Sequence, residues 1–395
     1  MTTAVGRAVR ARVAVAVIFF GNGFVFANVV PRYPEIKADL ELSNAALGTA
    51  IAAMPLGALA FGLLASPLIK RFGSGWTAVG TLALMGGNVF LIGTAPGFAL
   101  LCVALFTAGS LDGTTDVAMN AHGLRVQRLY GRSILNAFHG LWSVGAVVGG
   151  FTGAGAAQAG IPLPGHLAVV GGLTSAAALV ASRFLLPGAE DTERAEASAD
   201  GGAAHRPGSR LPVLGVLVAL GLLAAAAAVV EDTGASWGSV YLRDELQANA
   251  FVGGLAFASL QGAQTVGRLL GDRVVHRLGE RSTARLGGAL VVTGMGAALL
   301  WPSVPSTVVG FGLAGLGVAT LIPAAFHASD EIPGLWPGAG ITVTSILMRM
   351  GFLLSPPLVG VIADAESIRL GLVIVPLAGL VILLTSGVLK SRTRG

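Results

Sequence analysis

Apolar residues dominate this chain in long unbroken runs, and the polar residues collect in short clusters between them. Residues 45–69 and 76–94 carry no charge at all. At about 1.5 Å of rise per residue, roughly 20 residues cross the hydrocarbon core of a bilayer. Runs bounded by charge, Pro and Gly predict spans near residues 12–31, 44–69, 76–94, 98–124, 133–157, 165–187, 211–232, 250–272, 283–301, 305–327, 339–363 and 369–389. Twelve spans of this kind predict an all-α integral membrane protein.

Composition strengthens that expectation. Of 395 residues, 54% are hydrophobic and 11% charged, against roughly 25% charged in a soluble domain. The 58 Gly and 18 Pro suit a protein whose helices approach closely in lipid and whose kinks neighbouring helices absorb. Cys102, the single cysteine, lies inside an apolar run and reads as packing. Arg7, Arg10 and Arg12 ahead of the first run imitate a secretion signal, but the run is long and many spans follow, so it is expected to be retained.

The net charge of +5 predicts no nucleic-acid partner, because the basic residues sit at helix ends. Most fall on one side if the N-terminus is cytoplasmic, among them Lys70, Arg71, Arg125, Arg128, Arg273, Arg277, Arg281 and Lys390. Arg32, Lys37, Arg243 and Arg369 fall on the other. The positive-inside rule then places both termini in the cytoplasm of a multi-pass inner-membrane protein.

Residues 188–210 hold Glu190, Asp191, Glu193, Arg194, Glu196 and Asp200 among Ala, Gly and Ser, which predicts a flexible linker. It separates an N-terminal six-helix half, 1–187, from a C-terminal half, 211–395. A repeat relates them. Leu68-Ile69-Lys70-Arg71-Phe72-Gly73 after the second span matches Val274-Val275-His276-Arg277-Leu278-Gly279 after the eighth, 206 residues on, and Phe106 and His122 fall opposite Phe311 and His327.

Two six-span halves, a basic turn ending in Gly in each, and a long central loop resemble the major facilitator superfamily. That resemblance implies two pseudo-symmetric six-helix bundles and transport by alternating access. The family's turn motif, Gly-x-x-x-Asp-Arg-x-Gly-Arg, carries a latching carboxylate where this chain has Lys70 and His276, so Asp272 is the candidate replacement. Lys70, Arg71, Gly73, Asp272, His276, Arg277 and Gly279 are the expected gate residues. Asp116-Val-Ala-Met-Asn120, His139-Gly-Leu-Trp142-Ser-Val-Gly145, Glu231 with Trp237, and Ser355-Pro356-Pro357 resemble the branch containing MosC and YbjJ, itself similar to fucose permease. Gly145-Ala-Val-Val-Gly149-Gly150 is similar to a signature of proton-coupled drug exporters, with Ala146 in place of its Pro. Close packing of small residues explains that run equally well.

Ionisable groups at membrane depth cost several kcal/mol unless they meet a partner or water, which makes each a candidate. Asp112, Asp116 and Asn120 recur every four residues on the fourth span and so share a face, with a drift of about 40° per step. The fucose permease resemblance implies a proton-carrying carboxylate at Asp116, where partial burial is expected. Arg349, in the eleventh span, needs a carboxylate from Asp116, Asp112 or Glu231. Glu231 is the preferred acid of the seventh span, and Asp232 reads as a rim charge near its outer end.

Asn136, His139 and Trp142 share a face of the fifth span, where indole, amide and imidazole suit a hydroxylated ring. Asn22, Asn28, Gln261 and Gln264 are candidate cavity polars or interhelical bonds. His122 and His327 read as gate or structural residues, and no metal ligand set is visible. The expected function is a proton-coupled secondary transporter of a small polar solute such as a sugar or cyclitol, acting as a monomer with no cofactor beyond the proton gradient. The alternative is a proton-coupled drug or metabolite efflux antiporter. An enzyme is not expected, since His-Glu-x-x-His, Gly-x-Ser-x-Gly and phosphate-loop motifs are absent.

Overall fold

A computed structural model describes residues 2–62, 64–130, 134–188, 210–332, 335 and 339–390. The predicted linker, 188–210, lies outside the described residues except at its two ends. Every regular element described is helical. The first are α1 (Thr2–Ala27), a 3-10 turn (Val30–Arg32), α2 (Tyr33–Asp39), α3 (Asn44–Gly62), α4 (Ala65–Phe72), α5 (Ser74–Gly93), α6 (Phe98–Tyr130), α7 (Leu135–Gln158) and α8 (Leu163–Ser182). After them come α9 (Arg210–Val240) with a π turn (Tyr241–Glu245), α10 (Ala250–Leu278), α11 (Glu280–Leu300), α12 (Val304–Val318) and α13 (Leu321–Asp330). The last are α14 (Ala339–Ala365), α15 (Ile368–Gly371), α16 (Ile374–Thr385) and a 3-10 turn (Ser386–Val388).

Among the described residues, eleven helical segments are long and apolar enough to cross a membrane. They count α1 with α2, α12 with α13, and α15 with α16 as one crossing each. The twelfth, α10, has the length at 29 residues but is diluted by Gln261, Gln264 and Thr265 and by charges from Arg268 onward. Three predicted spans are broken where the sequence reading expected them continuous. The second divides into α3 and α4, the tenth into α12 and α13, and the twelfth into α15 and α16. Pro67, Pro323 and Pro376 each stand third in the helix that follows the break. Proline lacks the N–H a helix interior requires but is tolerated in a first turn, so it starts a new helix rather than continuing the old one.

The chain forms two compact units: Met1–Glu41 with Ala53–Gly201, and Leu42–Ala52 with Gly202–Gly395. In the first, α1 packs on α7, and α5 on both α6 and α8. In the second, α9 packs on α14, and α11 on both α12 and α16. These are corresponding pairs of the sequence repeat. The turn glycines repeat as well: Gly73 has φ 82° and Gly279 φ 82°. Each donates its N–H back to a carbonyl at 2.8 Å, of Ile69 and Val275 respectively. The carbonyls of Gly73 and Gly279 themselves each accept a threonine hydroxyl at 2.8 Å, from Thr77 and Thr283. A side chain at that positive φ would be strained, so only glycine ends both helices this way.

Helix contact in the first unit is made through small residues. A Cβ placed at Gly145 would strike the Phe20 carbonyl oxygen, and Cβ atoms at Gly149 and Gly153 would crowd the Phe24 and Asn28 carbonyls. The glycine run on α7 is therefore the seam on which α1 lies. In the second unit, Gly48 and Gly360 leave equally little space, against Pro356 and the Asn44 carbonyl. Beside them Asp364 accepts the free backbone N–H groups of Asn44 and Ala45, both at 2.8 Å, which caps α3 from the end of α14.

Candidate functional site

Hydroxyls along α6 are engaged locally, since Ser110, Thr114 and Thr115 each donate to the carbonyl four residues before. The carboxylates reach other groups. Asn22 on α1 donates through Nδ2 to Asp112 Oδ1 at 2.9 Å and accepts the Trp142 indole N–H from α7 at 2.7 Å. One turn on, Asn120 donates through Nδ2 to Asp116 Oδ1 at 3.0 Å, and the His139 Nε2 lies 3.0 Å from Asn120 Oδ1. Because the amide NH₂ is turned toward the carboxylate, its oxygen requires a donor, and His139 carries its proton on Nε2.

Two relays thus run in parallel, Trp142 to Asn22 to Asp112 and His139 to Asn120 to Asp116. Each takes a ring N–H through an amide to a carboxylate. The spacing of four on α6 and of three on α7 puts them one turn apart. Asp116, Asn136 and His139 are exposed, while Trp142 and Asp112 are half-buried and Asn22 is buried. The partial burial expected at Asp116 therefore falls on Asp112. Asn136 shares the face but makes no hydrogen bond among the described residues.

In the second unit, Glu231 accepts from Gln264 Nε2 at 2.7 Å and lies 3.6 Å from the Arg268 guanidinium. Of the three carboxylates expected as partners for Arg349, namely Asp116, Asp112 and Glu231, the last is engaged by α10. Asp232 is not a rim charge. The seventh span runs on to Val240, and Asp232 accepts the Ser355 hydroxyl of α14 at 2.5 Å, directly before Pro356 and Pro357. Gln261 and Gln264 are 3% and 1% exposed, and Gln261 Nε2 and Gln264 Oε1 have no hydrogen-bond partner among the described residues.

Asn28 is fully buried, bonded to the Phe24 carbonyl, Thr152 and His166, which makes it an interhelical tie and not a cavity polar. Beside it Arg32, read from sequence as an outer loop charge, is also fully buried. It grips Glu35 at 2.6 and 2.8 Å and the Ile161 carbonyl at 2.8 Å. His166 Nδ1 faces Arg32, an obligate donor, so it accepts there and presents Nε2–H to Asn28. No periodicity marks this cluster; the Pro31-Arg32-Tyr33-Pro34-Glu35 sequence is its only trace.

The turn residues are exposed, except for the half-buried Gly73 and Gly279. Asp272, expected to replace the latch carboxylate, is exposed and forms no ion pair or hydrogen bond among the described residues. The repeat-related histidines differ. His122 is buried, its Nε2 accepting the Leu186 N–H at 3.2 Å and its Nδ1 2.8 Å from Ser74 Oγ. His327 is exposed and faces Glu280 and Glu331 at 3.5 and 3.9 Å. Among the described residues, no group of three His, Cys, Asp or Glu could hold a metal ion.

Comparison with known proteins agrees with this architecture. An uncharacterized transporter, y4wD, of Sinorhizobium fredii is 31% identical over 95% of this chain and 97% of its own length. The membrane protein MosC of Rhizobium meliloti is 28% identical, over 93% and 88%. A solved nucleoside transporter, NupG, superposes with a TM-score of 0.74 over 97% of this chain and all of its own, at 11% identity, which shows a shared fold and no more. The profile of the family described as Major Facilitator Superfamily matches residues 15–334. This chain belongs to the Major Facilitator Superfamily and is a multi-pass membrane transporter.

Proposed function

We propose that this transporter couples a proton to the movement of a small, multiply hydroxylated ring solute such as a sugar or cyclitol, with both termini in the cytoplasm. The observation that carries the reading is the pair of parallel relays on α1, α6 and α7. Each ends in a carboxylate at one extreme and in a ring N–H at the other. An ionised Asp116 holds the Asn120 amide with its NH₂ inward, which aims the amide oxygen at His139. Protonation weakens that hold, because the carboxyl becomes a donor itself and the charge-assisted bond is lost. The amide and imidazole are then free to bond a solute hydroxyl, and the indole of Trp142 offers an apolar face for the ring. Proton state and solute recognition are linked through one amide.

Purified protein in liposomes with an imposed pH gradient tests this, screened against sugars, cyclitols and cationic dyes. Solute accumulation that follows the gradient is expected. Movement indifferent to pH would sink the coupling, and transport of dyes alone would favour the efflux reading.

A further inference from the structure

A cavity of about 650 Å³ opens where α1 begins and α6 and α8 end. Arg7, Arg10, Arg125 and Arg183 line it, and no carboxylate among the described residues does. Arg125 is occupied, donating to the Pro187 and Gly188 carbonyls at 3.2 and 3.4 Å. Arg10 gives only its Nε to the Gly6 carbonyl. Arg7 and Arg183 are exposed and bond no partner through their side chains among the described residues. Three guanidinium groups therefore face one space, and apart from Arg10 Nε their donors have no partner among the described residues.

Phe72 and Trp76 wall this cavity and also wall a second, of about 820 Å³, between the end of α3, α4, α5 and α6. Phe61, Leu84, Phe106 and Leu111 line the second. Its hydroxyls, from Thr77, Thr81, Thr107, Ser110 and Thr114, all bond backbone carbonyls nearby in sequence, so apart from Arg71, which also lines it, the groove is apolar. Trp76 and Leu84 are 64% and 63% exposed, an apolar surface of the kind acyl chains cover.

We propose that the two cavities form one binding site for an anionic phospholipid, with the phosphodiester on Arg7, Arg10 and Arg183 and an acyl chain in the groove beyond Trp76. Guanidinium forks match phosphate oxygens, and basic pockets at the ends of spanning helices suit charged headgroups. A soluble phosphate ester would satisfy the arginines but leave the adjoining groove without a role.

Native mass spectrometry of the full chain tests the site, with dioleoyl phosphatidylglycerol, dioleoyl phosphatidylcholine or glycerol 3-phosphate added. Phosphatidylglycerol should be retained at least about tenfold over phosphatidylcholine. Arg7→Gln with Arg10→Gln and Arg183→Gln should lower that retention at least about tenfold, and Arg183→Gln alone about fivefold should the triple variant not fold. Leu84→Trp, which narrows the groove, should also weaken lipid retention. Equal retention of the two lipids, or retention unaffected by the arginine variants, overturns the proposal. Saturable glycerol 3-phosphate binding that the arginine variants lose and Leu84→Trp leaves intact would assign the cavity to a soluble ester, and overturns it as well.

Discussion

The polar groups of the two units are arranged by different rules. On α6 and α7 the carboxylates Asp112 and Asp116 each have one amide partner, and the chain of bonds ends on an exposed or half-exposed ring. On α9 and α10 the acids Glu231 and Asp232 are held by groups from neighbouring helices, and buried amide atoms of Gln261 and Gln264 are left without partners among the described residues. In the first, Asp116 is exposed and can meet water without any unpacking, whereas Asp112 is half-buried and tied through Asn22 to α1. The second binds helices together and answers to stability before it answers to solvent. One fold duplicated in sequence thus carries an exposed carboxylate, Asp116, in one copy and two half-buried, helix-tying carboxylates, Glu231 and Asp232, in the other.

Four substitutions sharpen or break that contrast. Asp116→Asn has the largest expected effect: accumulation driven by a pH gradient collapses to simple equilibration, while exchange of labelled solute persists and the melting temperature holds. Normal accumulation in this variant would move the coupling site elsewhere. Ser355→Ala should instead lower stability by about 1–3 kcal/mol, because the half-buried Asp232 carboxylate loses the Ser355 hydroxyl, with coupling retained; thermal unfolding in detergent and counterflow measure the two separately. Loss of coupling here with unchanged stability would reverse the comparison. Trp142→Phe keeps the apolar face but removes the N–H donated to Asn22. A bond worth about 1 kcal/mol predicts roughly a fivefold weaker solute affinity, read by titration of transport against concentration. Gln261→Leu has the smallest effect, neutral or stabilising by up to about 1 kcal/mol, since it removes a buried Nε2 that bonds nothing among the described residues. A clear loss of solute binding in that variant would show that Gln261 meets the cargo.

How much of this was legible in the sequence follows from what each signal depends on. Span positions and the duplication depend on local hydropathy and on Gly73 and Gly279, whose positive φ is a local requirement, and those were readable. The breaks at Pro67, Pro323 and Pro376 were visible in principle, but an apolar run masks a change of helix axis. Asp112, Asp116 and Asn120 announced their shared face by spacing, and His139 and Trp142 theirs. What spacing could not supply is which helix answers each group. Asn22 was one candidate polar among several until α1 was laid along the glycines of α7. Asp232 and Glu231 are neighbours in sequence and point to different helices, so their order of importance was invisible. Arg32 looked like a loop charge because burial of its fork depends on Glu35 and on Ile161, more than a hundred residues away.

The cap that Asp364 places on Asn44 and Ala45 bears on how the protein can be taken apart. The segment Leu42–Ala52 clusters with the C-terminal unit although it is encoded in the N-terminal half. A chain severed within 188–210 would yield a C-terminal fragment lacking that strip, with Gly360 and the Pro356 carbonyl uncovered and Asp364 without the two amides it holds. Split-gene complementation should therefore be asymmetric: the C-terminal piece depends on its partner to complete its own packing, and the boundary that evolution duplicated is not the boundary at which the folded protein can be divided.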